Sequence, residues 1–181
     1  MAFRAPVDLA AVNAHAADTL VSHLGIVITE AGDDWLRGTM PVDARTRQPY
    51  GILHGGASVA LAETLGSVAG NLCVDTSKEM VVGLEINANH VRAMRGGRVT
   101  GTARALHVGR STQLWEIRIE NDEGKLVCVS RLTLAVVPLP KPRDPHGRIP
   151  LRRSIRYRDG RTPPDLPEDR AGPDRRRDRH D

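Results

Sequence analysis

The chain has 181 residues, 40% hydrophobic but only 3% aromatic, with two cysteines and a net charge of +4. That length suits one domain with an appendage, and the two cysteines give neither a disulfide ladder nor a CxxC metal pattern. No apolar run approaches the roughly 20 residues that span a bilayer and no signal-peptide core opens the chain, so a cytoplasmic protein without membrane partners is expected.

Asp8 is placed to cap a first helix through Leu9, Val12, Ala16, Leu20 and Leu24, ending at Gly25. Ile26 to Glu30 reads as a short strand. After the turn at Gly32, Asp33 and Asp34, Trp35 to Val42 alternates as a half-buried strand does. The segment QPYGILHGGASVALAETLGS, Gln48 to Ser67, follows. Its first half is turn-forming, interrupted by Pro49, Gly51, Gly55 and Gly56. From Gly56 onward Ala57, Val59, Ala60, Leu61, Ala62, Leu65, Val68 and Ala69 form a helix that is apolar nearly all round, and such a helix belongs in a core.

In the middle of that helix stands one carboxylate, Glu63. A buried carboxylate must find partners, shift its pKa or face a pocket. It could instead lie on a solvated helix edge, or be satisfied by Thr64 or Ser67. At the other end of the helix, His54, Gly55 and Gly56 put backbone without bulky side chains at a helix start. Unpaired N–H groups and the dipole there favour developing negative charge. Anion-stabilising N–H groups and a carboxylate on one helix are the parts of an acyl-transfer site.

Four further strands are expected, Met80 to Val91, Gly97 to Val108, Thr112 to Asn121 and Lys125 to Val137. Leu114, Glu116, Arg118 and Glu120 alternate cleanly with Trp115, Ile117 and Ile119. Short turns between the strands predict an antiparallel meander with one face on the apolar helix. The fold class is therefore α+β, a curved sheet wrapped around a long central helix.

From Pro138 the character changes. Residues 138–181 hold nine of the twelve prolines, and thirteen Lys/Arg against eight Asp/Glu. Residues 1–137 hold thirteen Lys/Arg against fourteen Asp/Glu. The division expected is a domain over 1–137 and a basic Pro/Arg-rich tail over 138–181. The tail lacks apolar periodicity and is expected to be disordered. A nucleic-acid tether is the sharper reading of its Arg clusters, but interleaved acids and scarce aromatics favour a solvated tail.

Two stretches, MPVDARTRQPYGILHGGASVALAETLGSVAG and VVGLEINANHVR, make the chain resemble the hotdog-fold acyl-CoA thioesterases of the PaaI-like group. Within that group the resemblance leans to the 1,4-dihydroxy-2-naphthoyl-CoA hydrolases of menaquinone biosynthesis and their enterobactin-proofreading relatives. It covers about residues 8–137. It implies that Glu63 attacks the thioester or activates water. The Gly55 N–H, helped by Gln48, would polarise the carbonyl. His54 would stand near the thioester and its sulfur, and Ser67 would hold the hydrolytic water. Gly83, His90, Arg92, His107 and Gly109 would contact CoA. Arg110 and Ser111 depart from the Ser-Arg order of the naphthoyl enzymes, so the contact at Arg110 rests on position alone. No metal or redox cofactor is implied.

Taken singly, each of these residues has a plainer reading. Gln48 suits a surface turn, His54 a structural imidazole, Gly55 backbone relief, and His90 and Arg92 the solvated face of a strand. Their combination favours catalysis. Glu63 stands eight residues beyond Gly55, roughly 12 Å along the helix at about 1.5 Å per residue, more than a glutamate spans comfortably. A two-fold homodimer with shared sites follows, and the resemblance implies such dimers with active sites at the interface, commonly paired into homotetramers. The alternatives are a hotdog hydratase or dehydratase, or a non-catalytic acyl-CoA-binding module with a nucleic-acid-binding tail.

Overall fold

In the computed structural model, which describes residues 3–140, two short helices, Leu9–His15 (α1) and Leu20–His23 (α2), come first. Strands Val27–Ala31 (β1) and Trp35–Pro41 (β2) lead to the long helix Gly55–Leu72 (α3). Glu79–His90 (β3), Arg98–Val108 (β4), Thr112–Asn121 (β5) and Leu126–Pro138 (β6) complete the sequence of elements. The disordered character expected of the tail concerns residues 141–181, which lie outside the described residues.

The single first helix expected from Asp8 is in fact two. Asp8 does cap α1, its carboxylate accepting the Ala11 N–H at 3.0 Å. The helix then stops, because Asp18 takes a left-handed φ of 58° and Thr19 starts α2 with a reciprocal cap against Ser22. Such a cap satisfies two helix-start donors at once and outweighs continuation through residues 16–19. Asn13 of α1 spends its side-chain amide on the edge of the sheet. It accepts from Ile28 N at 2.9 Å and donates to Ile28 O at 2.8 Å, occupying both backbone groups that a further strand would use.

All six strands form one antiparallel sheet in the order β1-β2-β4-β5-β6-β3. Only β4, β5 and β6 are the expected meander. β4 is flanked by β2 and β5, so neither of its edges is open to β3, which pairs instead along the outer edge of β6. The connection from β3 to β4 therefore crosses the molecule at the start of α3, where Leu53 N bonds Met94 O at 2.7 Å.

α3 packs against β2, β3, β4, β5 and β6, the curved-sheet-and-helix arrangement of the hotdog fold. Its Ala57, Leu61, Leu65 and Ala69, one helical row, are buried with Leu36, Met40, Ile117 and Leu132 of the sheet. Aliphatic side chains do most of this packing, as the scarcity of aromatics requires. The exception is Trp115, fully buried and stacked on Phe3 at 6.4 Å between ring centroids. Its indole N–H donates to Gln113 Oε1 at 3.0 Å, and Gln113 Nε2 donates to Gly70 O at 3.2 Å. That relay satisfies the buried polar atoms and ties β5 to the far end of α3.

Candidate active site

A tight turn delivers the chain to the start of α3. The Asp43 carboxyl is drawn down to about 2, chiefly by its side-chain hydrogen bond with Arg45. Buried Thr46 donates its hydroxyl to Pro41 O at 2.8 Å and offers its carbonyl to His54 N at 2.8 Å. Gln48 closes the next turn, with Gln48 N on Ile52 O at 2.8 Å. Each bond in this run places the residue after it, so Gln48 and Gly55 arrive at one cavity.

His54 is the N-cap of α3, its Nδ1 accepting the Gly56 N–H at 2.8 Å. An accepting ring nitrogen carries no proton, so the neutral ring keeps its hydrogen on Nε2. Among the described residues, no acceptor takes the N–H of Gly55. It is a free donor at a helix start, where partial positive charge accumulates.

A cavity of about 310 Å³ opens there, lined among others by Gln48, Gly55, Ser58, His90 and Arg92. His90 lies across Gly55. A methyl on Gly55 would come within 2.8 Å of His90 Nε2, so the absence of a side chain is what admits the imidazole. Arg92 is held by Nε on Leu126 O at 3.3 Å.

Glu63 stands two turns further along α3, half-buried. Its Oε1 accepts from Ser67 Oγ at 3.0 Å, whereas Thr64 turns away to Ala60 O at 2.7 Å. Opposite it is Gly83 of β3, where a methyl would stand 2.7 Å from Glu63 Oε1. Within one protomer Gly83 is thus the seat of the carboxylate.

The placement of Gly83 and His90 depends on an irregularity in β3. In a regular strand residues seven apart point to opposite faces. Between Gly83 and Glu85 the register against β6 shifts by one residue, and Leu84 is left exposed. That bulge reverses the alternation. Val81 and Gly83 face α3 before it, and Ile86, Ala88 and His90 after it.

The structure therefore sorts the expected residues into groups. Gln48, Gly55, His90 and Arg92 share the cavity, and Glu63, Ser67 and Gly83 form a cluster along the helix. His107, Gly109 and Arg110 lie at the turn between β4 and β5, closed by Gly109 N on Thr112 O at 2.9 Å. Thr112 is in register with Ala135, which faces Val82, so that turn stands at the Gly83 end of the sheet. His90 is at the other end, opposite Cys128. His54 is exposed and caps the helix beside the cavity. Ser58 escaped the sequence reading, and its one signal there is a spacing of three from Gly55, on the same helix face. No group of three or more His, Cys, Asp or Glu side chains suited to a metal occurs among the described residues.

The family model described as "Thioesterase superfamily" matches residues 50–128. The 1,4-dihydroxy-2-naphthoyl-CoA hydrolase of Escherichia coli is 52% identical over 137 residues, 76% of this chain and 100% of that protein. The chain belongs to the thioesterase superfamily. The proofreading thioesterase EntH of Cronobacter sakazakii is also 52% identical, over 76% of this chain and 99% of that protein. A mutant thioesterase from Pseudomonas aeruginosa, solved by crystallography, superposes with a TM-score of 0.76 at 53% identity, covering 77% of this chain and all of that one. A Haemophilus influenzae thioesterase gives 0.75 at 51%, covering 80% and 100%. The protein is a hotdog-fold thioester hydrolase, and no helix among its described residues is long and apolar enough to cross a membrane.

Proposed function

We propose that this thioesterase hydrolyses an aryl acyl-CoA, 1,4-dihydroxy-2-naphthoyl-CoA or a thioester like it, to the free acid and CoA at sites shared between two copies. The observation that carries the reading is the pairing on α3 of a free Gly55 N–H with a seated Glu63. The aryl group is favoured by the naphthoyl-CoA hydrolase at 52% identity. A relative equally similar carries the name of a proofreading thioesterase, so the acyl group is the part the assay must decide.

In this reading the thioester carbonyl docks at the Gly55 N–H beside Gln48. As it is attacked its oxygen becomes an oxyanion, and a donor fixed at a helix start stabilises that charge without reorganising, typically by roughly 3–4 kcal/mol. The attacking group is Glu63, either through a mixed anhydride or as general base on a water held with Ser67. The C–S bond then breaks and the sulfur leaves as CoA, taking up a proton. His54, with its hydrogen on Nε2, is a hydrogen-bond donor to that sulfur rather than the source of its proton. His90, Arg92, His107, Gly109 and Arg110 hold the CoA chain and nucleotide, and Gly83 serves the carboxylate.

Two features support sharing between copies. Gly55 and Glu63 are about 12 Å apart along the helix. In addition, among the described residues β3 is an edge strand of the sheet, and Val59 of α3, on the helix face that carries Gly55 and Glu63, is apolar yet only half-buried, as is Ala60 beside it. A two-fold partner on that edge would cover them and bring Glu63 of the partner subunit to Gly55. The dimer, and tetramers of dimers, would function in the cytoplasm, with residues 138–181 as a separate basic tail.

A panel of aryl and alkyl acyl-CoA thioesters, run with wild type and Glu63→Ala, tests the reading. Expected is a preference for aryl thioesters and a loss of about 10²–10⁴ in rate for Glu63→Ala. Near-native hydrolysis by Glu63→Ala would remove the assigned catalyst. For the shared site, mixing inactive Gly55→Pro and Glu63→Ala proteins should restore part of the activity as subunits exchange. No recovery despite demonstrated exchange would refute sharing.

A further inference from the structure

We infer that Ser58 is a second hydrogen-bond donor to the thioester carbonyl, acting beside the Gly55 N–H. Ser58 is 1% exposed, among the most buried polar residues of the protein. A hydroxyl so deep in a core is normally paired, because burial strips it of water without returning a partner. The other buried polar side chains follow the rule. Thr46 reaches Pro41 O, Gln113 bridges Gly70 and Trp115, and Ser130 stands 3.7 Å from Cys128 Sγ. Among the described residues Ser58 Oγ has no hydrogen-bond partner, although its own backbone N–H is bonded to His54 O at 3.2 Å. No side-chain oxygen or nitrogen among them is both sealed and unpaired. The hydroxyl therefore opens into the cavity that Ser58 lines with Gln48, Gly55 and His90.

Its place on the helix is what a donor requires. Ser58 follows Gly55 by three residues, so the two share a face. Helical side chains lean toward the N-terminus, which carries the hydroxyl back toward the level of the Gly55 N–H. A serine hydroxyl has one hydrogen to give, and here no protein acceptor competes for it. The group that enters the cavity is an acyl thioester, whose carbonyl oxygen is its acceptor nearest the reacting carbon. As that oxygen gains charge, a donor already fixed on the helix beside it stabilises the charge without reorganising.

This inference rests on the reading that the carbonyl docks at Gly55. The test uses benzoyl-CoA and the full-length protein. Ser58→Ala removes one unpaired atom and is expected to leave the thermal midpoint nearly unchanged while lowering kcat roughly 10- to 100-fold, with KM little altered. A second readout needs no turnover. In Glu63→Ala protein with carbonyl-labelled benzoyl-CoA bound, the C=O stretch should be displaced to lower wavenumber, and adding Ser58→Ala should move it back toward its position in water.

If Glu63→Ala is inactive and Ser58→Ala keeps kcat within twofold of native, the donor role is overturned and the site reading stands. An unchanged carbonyl band on adding Ser58→Ala overturns it as well. Near-native hydrolysis by Glu63→Ala overturns both readings together.

Discussion

Gly83→Ala isolates the seat of the carboxylate from the fold around it. The added methyl would stand 2.7 Å from Glu63 Oε1, 3.5 Å from its Cδ and 3.8 Å from Oε2. Ordinary contact between heavy atoms begins near 3.5 Å, so Oε1 must retreat by roughly 0.5–0.8 Å. That is the oxygen which accepts from Ser67 at 3.0 Å, and a retreat of that size breaks the bond. A hydrogen bond to a charged group is worth about 1.5–3 kcal/mol, which corresponds to about 10- to 150-fold in rate if it is needed in the transition state. A misplacement of about 1 Å at a reacting group has a similar effect. Stability should change little. The obstacle is the end of a flexible side chain, Gly83 is not among the positive-φ glycines, and a Gly-to-Ala change at ordinary φ stabilises by about 0.4–1 kcal/mol. The assay is CoA release measured with a thiol reagent, alongside thermal unfolding. Expected is a kcat lowered 10- to 100-fold with KM and Tm nearly native. A kcat within twofold of native, or a defect confined to KM, refutes the seat.

Asn13→Ala leaves Ile28 N–H and C=O unpaired at the β1 edge, so it should destabilise by about 1–3 kcal/mol and increase self-association with concentration. An unchanged denaturation midpoint and size distribution would show that the amide does not guard that edge. Burial pushes the Cys73 thiol up to about 11 and also raises Cys128, so at pH 8 Cys73 carries about 100-fold less thiolate than an ordinary cysteine. Both should react with a thiol reagent only slowly until denaturant is added, leaving the CoA signal clean; rapid labelling of native protein would contradict this. Deleting residues 141–181 should leave hydrolysis intact, because every candidate site residue precedes Ser111. Salt-sensitive DNA binding lost with that deletion would instead favour a nucleic-acid role for the tail.

Local signals carried much of the fold. The Asp8 cap, the run from Thr112 to Asn121 and the apolar helix beyond His54 are all where periodicity and turn chemistry place them, since each depends on neighbours within a few residues. The chemistry-bearing stretch Gln48 to Ser67 was legible for the same reason. Its free N–H, cap and carboxylate all sit on one helix.

What adjacency in the chain could not settle is pairing. β3 bonds to β6 because β4 has no edge left, and short connecting turns say nothing of that competition. The bulge at Leu84 turns His90 toward Gly55, against the strict alternation that would have sent Gly83 and His90 to opposite faces. Ser58 looked like any small helical residue until the sheet closed over it and left its hydroxyl only the cavity to face. Amino-acid order determines which groups are available and which segments are helix or strand. Their meeting depends on contacts between residues far apart in the chain, and those exist only once the sheet has wrapped the helix.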